Sequence, residues 1–348
     1  MYKHLLRPLL FKLSPETAHR LILSLLGLLH RIPLAASFMK LLYRRRSSLL
    51  PKEVFGLEFP NPVGLAAGLD KNGERYNELS WFGFSFIEIG SLTPEAQDGN
   101  PRPRLFRLPR DRALVNRMGI NNKGVRSAIG HLTADPPQTI IAASIAKNTS
   151  SHSDEEIQKD YETSFSLLYD FVDLFTINLS CPNVEGLQNL QDVSFLSDIL
   201  DPLLALRLCY DTCKPVLVKI SPDLPFSQVD EILQYCMMSG IDGIVAGNTT
   251  RSREGLRTPP DKVERLGDGG LSGAPLYPGT LALVKHIHAY TKGRLPIVAC
   301  GGIMTPVQAQ EMLDAGASLI ELYTGFIYEG PSLVRKIIKQ LLKPARKK

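Results

Sequence analysis

The sequence predicts an α/β fold: a closed barrel of eight parallel strands with surrounding helices, preceded by a small helical module. Short apolar segments alternate with amphipathic helical segments eight times after residue 54. The apolar segments are uninterrupted, which is typical of parallel strands covered by helices on their outer face. The chain has 348 residues, enough for a barrel of about 250 residues and the extra module.

The module is predicted to cover residues 1–46 and the barrel domain residues 47–348. Leucines at positions 5, 6, 9, 10 and 13 recur at helical spacing. Ser14-Pro15 predicts the cap and the first residue of a second helix, and Pro33 begins a third helical segment. Residues 1–50 hold nine Lys or Arg and one acid, a charge of +8, so the rest of the chain carries −3.

Three interpretations of this module stay open. Leucine faces, basic flanks and scarce acids favour an amphipathic hairpin on a lipid surface. A helical cap packed on the barrel without lipid contact is the second interpretation. A secretory signal is the third, because residues 34–37 faintly resemble a cleavage site. The apolar stretch 21–29 is too short to span a bilayer, and the mildly acidic body argues against binding nucleic acid.

Eight strand–helix units predict the (β/α)8 or TIM-barrel fold. The predicted strands are 63–67, 84–89, 139–145, 174–178, 216–220, 243–246, 297–299 and 319–322. The predicted helices are 73–81, 122–132, 154–169, 192–209, 227–239, 278–291, 305–315 and 331–343. An open doubly wound sheet is the alternative, although a Gly-x-Gly-x-x-Gly dinucleotide motif is absent. Insertions at 91–121 and 248–275 follow strands, which predicts walls or lids over the active end of the barrel.

The loop after the fourth strand brings together amide, hydroxyl and thiol groups. Asn178, Ser180, Cys181 and Asn183 follow an apolar strand, and a thiol one residue before a proline in such a loop is placed to face a ligand. The five cysteines include no Cys-x-x-Cys pair, which favours free thiols in a reducing compartment and no metal site.

Other strand ends predict contacts to anions. Lys219 lies inside an apolar strand, so its charge requires an anionic or polar partner. Lys71 follows a run of small residues that lets a flat ligand approach the backbone. The glycine-rich loop around Gly302, the loop at 322–325 and Gly273 together predict a phosphorylated cofactor held by backbone N–H groups.

These segments, in this order, closely resemble the dihydroorotate dehydrogenase family, flavin enzymes of pyrimidine synthesis. The similarity extends over nearly the whole chain. The module resembles that of the membrane-associated, quinone-linked class 2 branch. The segments that carry the resemblance are LSPETAH (13–19), AAGLDKNGE (66–74), EIGSLTP (88–94), NPRPRLFRL (100–108), NRMGINN (116–122), NLSCPN (178–183), VKISPDL (218–224), GLSGAPL (270–276), GGI (301–303) and LYTGFIYEGP (322–331).

The resemblance implies the site residues. The residues that would hold FMN are Ala67, Gly68, Leu69, Asp70, Lys71, Ser91, Ser144, Asn178, Lys219, Gly247, Gly273, Gly302, Tyr323 and Thr324. Those that would hold dihydroorotate or orotate are Lys71, Asn116, Arg117, Met118, Gly119, Ile120, Asn178, Asn183, Asn248 and Thr249. Cys181 falls on the catalytic base, and His19 and Arg104 would lie near the quinone.

At five positions the chain departs from the family pattern. Cysteine as the base is typical of the soluble branches, whereas the quinone-linked branch usually has serine at the position of Cys181. Ser144 stands in place of an asparagine near FMN, and Ala146 in place of a nearby glycine. Gly247 replaces a threonine that contacts the cofactor, and Ile120 replaces an aromatic residue beside the substrate.

The expected reaction is the oxidation of (S)-dihydroorotate to orotate in the synthesis of UMP. A base takes the C5 proton while hydride leaves C6 for the flavin, and a membrane quinone then accepts the electrons. The expected location is the cytoplasmic side of the cell inner membrane, with peripheral attachment through the N-terminal helices. Two alternatives stay open: the same FMN barrel with fumarate, NAD or a related dihydropyrimidine-like substrate, and a non-catalytic barrel that binds a small anion or tethers a partner to the membrane.

Overall fold

The structure is a computed structural model that describes residues 2–45, 47–179 and 193–344. Its strands are β1 (Lys52–Val54), β2 (Leu57–Phe59), β3 (Val63–Leu65), β4 (Phe86–Leu92), β5 (Leu105–Leu108), β6 (Ala113–Asn116), β7 (Ile140–Ile145), β8 (Leu174–Asn178), β9 (Val216–Ile220), β10 (Gly243–Ala246), β11 (Gly270–Gly273), β12 (Ile297–Cys300) and β13 (Leu319–Leu322). Its helices are α1 (Arg7–Lys12), α2 (Pro15–His30), α3 (Ala35–Tyr43), α4 (Tyr76–Ser80), α5 (Val125–Ala134), α6 (Asp154–Leu168), α7 (Val193–Arg207), α8 (Phe226–Ser239), α9 (Pro260–Glu264), α10 (Tyr277–Thr291), α11 (Pro306–Asp314), α12 (Thr324–Glu329) and α13 (Ser332–Leu341).

The eight predicted strands close into a barrel. The strand order is β3, β4, β7, β8, β9, β10, β12 and β13, and each strand is parallel to its neighbours. The observed strands and helices begin and end within three residues of the predicted bounds. The TIM-barrel prediction is therefore confirmed, and the open-sheet alternative is wrong.

The barrel interior is layered, because successive residues of a strand point alternately inward and outward. A lower layer is apolar and includes Phe86, Leu217, Val298 and Leu319. Gly64 lies in the same layer, where a Cβ atom would come within 2.1 Å of the Phe86 ring. Two residues further along the same strands, the inward positions are polar: Glu88, Ser144, Thr176, Lys219, Cys300 and Glu321. The carboxyl end of the barrel is thus a polar chamber over an apolar plug.

The two insertions form one small sheet instead of two separate lids. β5 and β6 make a hairpin from the first insertion, and β11 from the second insertion pairs with β6. This sheet stands beside the carboxyl end of the barrel and carries Asn116 and Gly273 at its ends. A second unpredicted hairpin, β1–β2, places Phe59 against Phe86 under the barrel.

The N-terminal helices dock on the barrel by polar contacts. The Ser14 hydroxyl accepts the Thr17 N–H, as the predicted cap requires. Glu16 forms an ion pair with Arg104 at 2.8 Å, and the Tyr2 hydroxyl donates to the Ile327 carbonyl at 2.6 Å. His30, at the end of α2, lies 3.6 Å from the Glu78 carboxylate. The segment is therefore packed against the barrel, as the helical-cap interpretation expects.

The outward side of the same helices is apolar. Leu9, Leu25, Phe38 and Leu41 are 60%, 45%, 60% and 76% exposed. Among the described residues, no single helix is long and apolar enough to cross a membrane. α2 and α3 meet that criterion only as a pair, and they are bent by 119°. The module therefore has one side fixed to the barrel and a second side of uncovered leucine and phenylalanine.

Candidate active site

A cavity of about 690 Å³ runs from the inside of the barrel to the N-terminal helices. Its inner end is polar and includes Lys71, Asn178, Lys219 and Glu321. Its outer end is lined mainly by apolar residues of the module: Leu6, Leu9, Leu10, Phe11, Ile22, Leu25, Leu26, Leu29, Met39 and Tyr43. One continuous space therefore joins a charged chamber to an apolar opening.

The inner end is built on a buried group that we call the Lys219 cluster: Lys219, Glu88, Glu321 and Cys300. Lys219 Nζ donates to Glu88 Oε2 at 3.0 Å and lies 3.9 Å from Glu321 Oε2. Burial alone would lower the pKa of Lys219, but the surrounding negative charges, Glu88 above all, raise it, so the ammonium stays charged. Lys219 therefore has two acidic neighbours, in agreement with the expectation that its charge needs an anionic or polar partner.

Two oxygens of this cluster lack hydrogen-bond donors within the described residues, namely Glu88 Oε1 and Glu321 Oε2. Burial raises the pKa of Glu321 to about 8, repulsion from Glu88 adds to this, and Lys219 offsets part of it. Burial likewise raises the pKa of the Cys300 thiol. Buried oxygens without donors are costly in a finished fold. Glu321 is the acid of this pair that lines the cavity, so a ligand bound at this end would lie beside it.

A chain of hydroxyl and amide groups runs along one side. Ser91 Oγ lies 2.7 Å from Ser144 Oγ, and Asn178 Nδ2 donates to Ser91 Oγ at 2.8 Å. Asn248 Nδ2 lies 3.4 Å from Asn178 Oδ1, which extends the chain to the loop after β10. Four residues predicted from four separate segments are thus brought together.

Glycines form the opposite side, where backbone faces the cavity. Gly302 has φ +70°, and a Cβ atom there would lie 2.2 Å from the Tyr277 nitrogen. Gly273 has φ +108°, and a Cβ atom there would lie 2.4 Å from the Arg112 carbonyl oxygen. Both positions require glycine. Next to them, Ser272 Oγ contacts Thr324 Oγ1 at 2.8 Å, so backbone and hydroxyl groups meet where the phosphate site was predicted.

Most of the predicted site residues that the structure describes line this cavity. They are His19, Ala67, Gly68, Leu69, Lys71, Ser91, Asn116, Met118, Gly119, Ile120, Asn178, Lys219, Asn248, Thr249, Gly273, Gly302, Tyr323 and Thr324. Cys181 and Asn183 lie outside the described residues. The predicted catalytic base therefore stays a prediction.

Five predicted residues are not part of the cavity lining. Asp70 accepts the backbone N–H groups of Glu74 and Arg75, which fixes the first loop. Arg117 donates to the Pro103 carbonyl at 3.1 Å and stacks over the Phe106 ring. Ser144 lies behind Ser91, and the Ser91 hydroxyl that it contacts at 2.7 Å lines the cavity. Two others serve the scaffold: Gly247, beside the Cys300 carbonyl, and Arg104, bound to Glu16.

His19 lies at the junction between the polar and apolar parts of the cavity. Its Nε2 atom is 2.7 Å from the Leu69 carbonyl oxygen. Burial lowers the pKa of His19, so the ring is neutral at pH 7. Because a carbonyl oxygen only accepts, Nε2 carries the proton and Nδ1 is left as an acceptor.

Comparison with known proteins gives one consistent family. The family model described as "Dihydroorotate dehydrogenase" matches residues 49–344. A protein of Christiangramia forsetii named "Dihydroorotate dehydrogenase (quinone)" is 43% identical over 98% of this chain and 99% of its own length. A Coxiella burnetii protein of the same name is 45% identical over 98% and 96%. A crystal structure of DHODH from Eimeria tenella in complex with ferulenol is similar with a TM-score of 0.81 at 33% identity, covering 94% of this chain and 90% of that one.

Proposed function

The chain belongs to the dihydroorotate dehydrogenase family, and from that premise we propose that it oxidises dihydroorotate to orotate with bound FMN and passes the electrons to a membrane quinone. One observation carries the proposal: a single cavity joins the polar chamber of the barrel to an apolar opening between the N-terminal helices. A polar substrate could then bind at one end of the cavity and an apolar electron acceptor at the other. In this proposal residues 1–46 are the membrane-associating module and residues 47–348 the FMN barrel.

The inner end of the cavity fits FMN. Lys219 supplies a fixed cation, and both Lys219 and Glu321 line this end of the cavity. Gly273, Gly302 and Thr324 line the cavity, so their backbone and hydroxyl groups could bind a phosphate there. The remaining cofactor contacts are assigned to Ala67, Gly68, Leu69, Lys71, Ser91, Asn178 and Tyr323. When bound, FMN supplies a ring that accepts a hydride and then gives electrons to a second acceptor.

Dihydroorotate is a small ring with a carboxylate, carbonyl oxygens and N–H groups. Lys71 offers a cation for the carboxylate, and Asn116, Asn178 and Asn248 offer amides that both donate and accept. These side chains come from separate elements that the barrel holds in place. Fixing the substrate in one orientation can lower the barrier by several kcal/mol.

The reaction needs a base for the proton of the carbon next to the one that loses hydride. We assign this role to Cys181, three residues after Asn178 at the end of β8, on the family resemblance. A thiolate is a competent base once neighbouring positive charge lowers its pKa from about 8.5. Leu179, the last described residue before this segment, is buried.

The apolar end of the cavity is proposed to admit the quinone. Neutral His19, with Nδ1 as an acceptor, lies where the apolar lining begins, and Ile22, Leu25 and Met39 continue the lining outward. Arg104 acts indirectly, by holding Glu16 and so α2 in place. Peripheral attachment at the cytoplasmic side of the inner membrane would bring this opening against the lipid that contains the quinone.

The decisive test is purification followed by an absorption spectrum and turnover with dihydroorotate. The proposal expects bound flavin, identified as FMN after release, and turnover with a quinone but not with fumarate or NAD. Turnover with fumarate or NAD alone would support the alternative acceptor. Protein that binds no flavin, even after incubation with FMN, would contradict the proposal.

The membrane interaction predicts a large effect of charge on α3. Phe38→Glu together with Leu41→Glu should weaken binding to vesicles of anionic lipid about tenfold or more, because each exposed apolar side chain contributes about 1.5–3 kcal/mol when it enters the lipid. Co-sedimentation with vesicles measures this. Leu208→Glu is the matched control, since Leu208 is 73% exposed but lies after α7 on the barrel. Equal binding by all variants would contradict a lipid contact through α3.

A further inference from the structure

Two buried carboxylates share one buried lysine at the inner end of the cavity. Glu88, Glu321 and Lys219 are 0%, 3% and 5% exposed. If both acids were ionised, the three buried side chains would carry a net charge of −1. An unpaired buried charge is strongly disfavoured, so one of the two acids retains a proton at neutral pH.

The contacts identify which acid it is. Glu88 Oε2 accepts two hydrogen bonds, from the Ala67 backbone N–H at 2.7 Å and from Lys219 Nζ at 3.0 Å. Those donors stabilise a carboxylate. Glu321 has no cation within hydrogen-bond distance, since its approach to Lys219 is 3.9 Å, and its Oε2 lacks a donor within the described part of the chain. The proton therefore belongs on Glu321.

The charged and titratable groups that face Glu321 come from three other strands of the barrel. They are Lys219 on β9, Glu88 on β4 and the Cys300 thiol on β12, which hydrogen-bonds to the Glu321 carboxyl. Burial raises the pKa of the Cys300 thiol, so it stays neutral and does not compete for the lysine. Burial and then Glu88 raise the pKa of Glu321 to about 8, in agreement with the geometry.

We propose that Glu321 is a positioning residue whose protonation is linked to reduction of the ligand in the cavity. While it is neutral, it leaves Lys219 directed at Glu88 and the cavity. At alkaline pH, where it is ionised, it takes up a proton when the ligand gains electrons. This inference rests on the proposed binding of FMN. Electrons added to the flavin place negative charge beside the cluster, which favours the neutral form of Glu321. In a titration the reductant supplies two electrons to FMN, and solvent supplies the proton to Glu321.

The consequence is an extra proton taken up per two electrons above about pH 8. An extra proton changes the reduction equilibrium tenfold per pH unit, which for a two-electron couple is about 30 mV. In the wild-type holoenzyme the midpoint potential of bound FMN should fall more steeply with pH by this amount from about pH 8 upward. Glu321→Gln keeps the shape of the side chain but cannot take up the proton. In this variant the midpoint potential should therefore not fall more steeply above about pH 8.

Spectrophotometric titration with dithionite at several pH values between 6 and 10 measures both slopes. Glu78→Gln is the matched control: Glu78 is also a buried acid with a raised pKa, but it lies outside the cavity, beside His30. The control should keep the steeper segment. If the midpoint potentials of wild type and Glu321→Gln change with pH in parallel, the inference is overturned, even if both proteins bind FMN and turn over.

Infrared spectroscopy tests the proton itself without turnover. The wild-type protein should show a protonated carboxyl C=O band at pH 7 that is lost by pH 10 and is missing from Glu321→Gln. This measurement still tests whether Glu321 holds a proton if the variant fails to retain FMN. Absence of flavin from the wild type would contradict the proposed function alone, whereas identical carboxyl bands in both proteins would contradict the role of Glu321.

Discussion

Replacing Lys219 with methionine is expected to lower the free energy of unfolding of the ligand-free protein by about 3–5 kcal/mol at pH 8. The substitution leaves Glu88 and Glu321 buried without the cation that lies 3.0 and 3.9 Å from them. Methionine has a similar length, so little cavity is created and the loss reports mainly the missing charge. Retention of FMN should be lost as well, because the fixed cation at the inner end of the cavity is gone.

The loss should be smaller at pH 5. A carboxyl group whose pKa is higher in the folded protein than in the unfolded chain, about 4.3, destabilises the fold as pH rises between the two values. Burial and repulsion from Glu88 raise the pKa of Glu321 to about 8 even with Lys219 present. Glu321 therefore already keeps its proton up to about pH 8 in the wild type, and it adds to the difference between the two proteins mainly above that pH. The difference that grows from pH 5 to pH 8 comes from Glu88, because its buried carboxylate has lost its cation and can take up a proton only at the lower pH.

Urea unfolding at pH 5 and pH 8 measures the effect. Lys336→Met on α13 is the matched control, because Lys336 is exposed, and it should unfold like the wild type. Adding Glu88→Gln to the Lys219→Met variant should recover more than half of the loss, since it removes the carboxylate that is left without its cation. A Lys219→Met protein that unfolds at the wild-type urea concentration at pH 8 would contradict the assigned role of the cluster.

The barrel itself was predictable from the sequence because its signals are local. Each strand is a short apolar run, and each following helix has its own periodicity and often its own cap, such as Ser153 before α6. The small sheet of β5, β6 and β11 was not predicted. Its central strand pairs with residues more than 150 positions away, and runs of four residues carry too little periodicity to identify a strand.

The site was predicted only in part for a related reason. Lys219 was recognisable because a lysine within an apolar strand is conspicuous, whereas Glu88 and Glu321 were not singled out at the ends of equally apolar strands. They become significant once closure of the barrel points all three side chains inward. Arg117 illustrates the opposite error, since its position in a polar motif does not reveal that its guanidinium faces the Pro103 and Leu266 carbonyls.

Replacing Cys181 with alanine is expected to give the largest loss of turnover, about 10²–10⁴-fold in kcat. If Cys181 is the base, the variant lacks the group that takes the substrate proton, while the cluster and the glycine backbone that are proposed to hold FMN are unchanged. The absorption spectrum of bound flavin should therefore match that of the wild type. The measurement is kcat with dihydroorotate and a quinone, together with binding of orotate followed through the flavin spectrum.

Variants of two further cysteines test whether Cys181 is the base or another thiol is responsible for the effect. Cys300→Ser changes a thiol that lines the cavity beside the Lys219 cluster, and Cys209→Ser changes an exposed thiol after α7. A thiolate base predicts that an alkylating reagent inactivates the wild type and both of these variants, that orotate protects them, and that Cys181→Ser is insensitive. Cys181→Ser should also require higher pH for turnover, because a serine hydroxyl is a much weaker acid than a thiol. Full activity in Cys181→Ala would exclude Cys181 as the base. If Cys300→Ser and not Cys181→Ser resists the alkylating reagent, the reactive thiol is Cys300 of the Lys219 cluster.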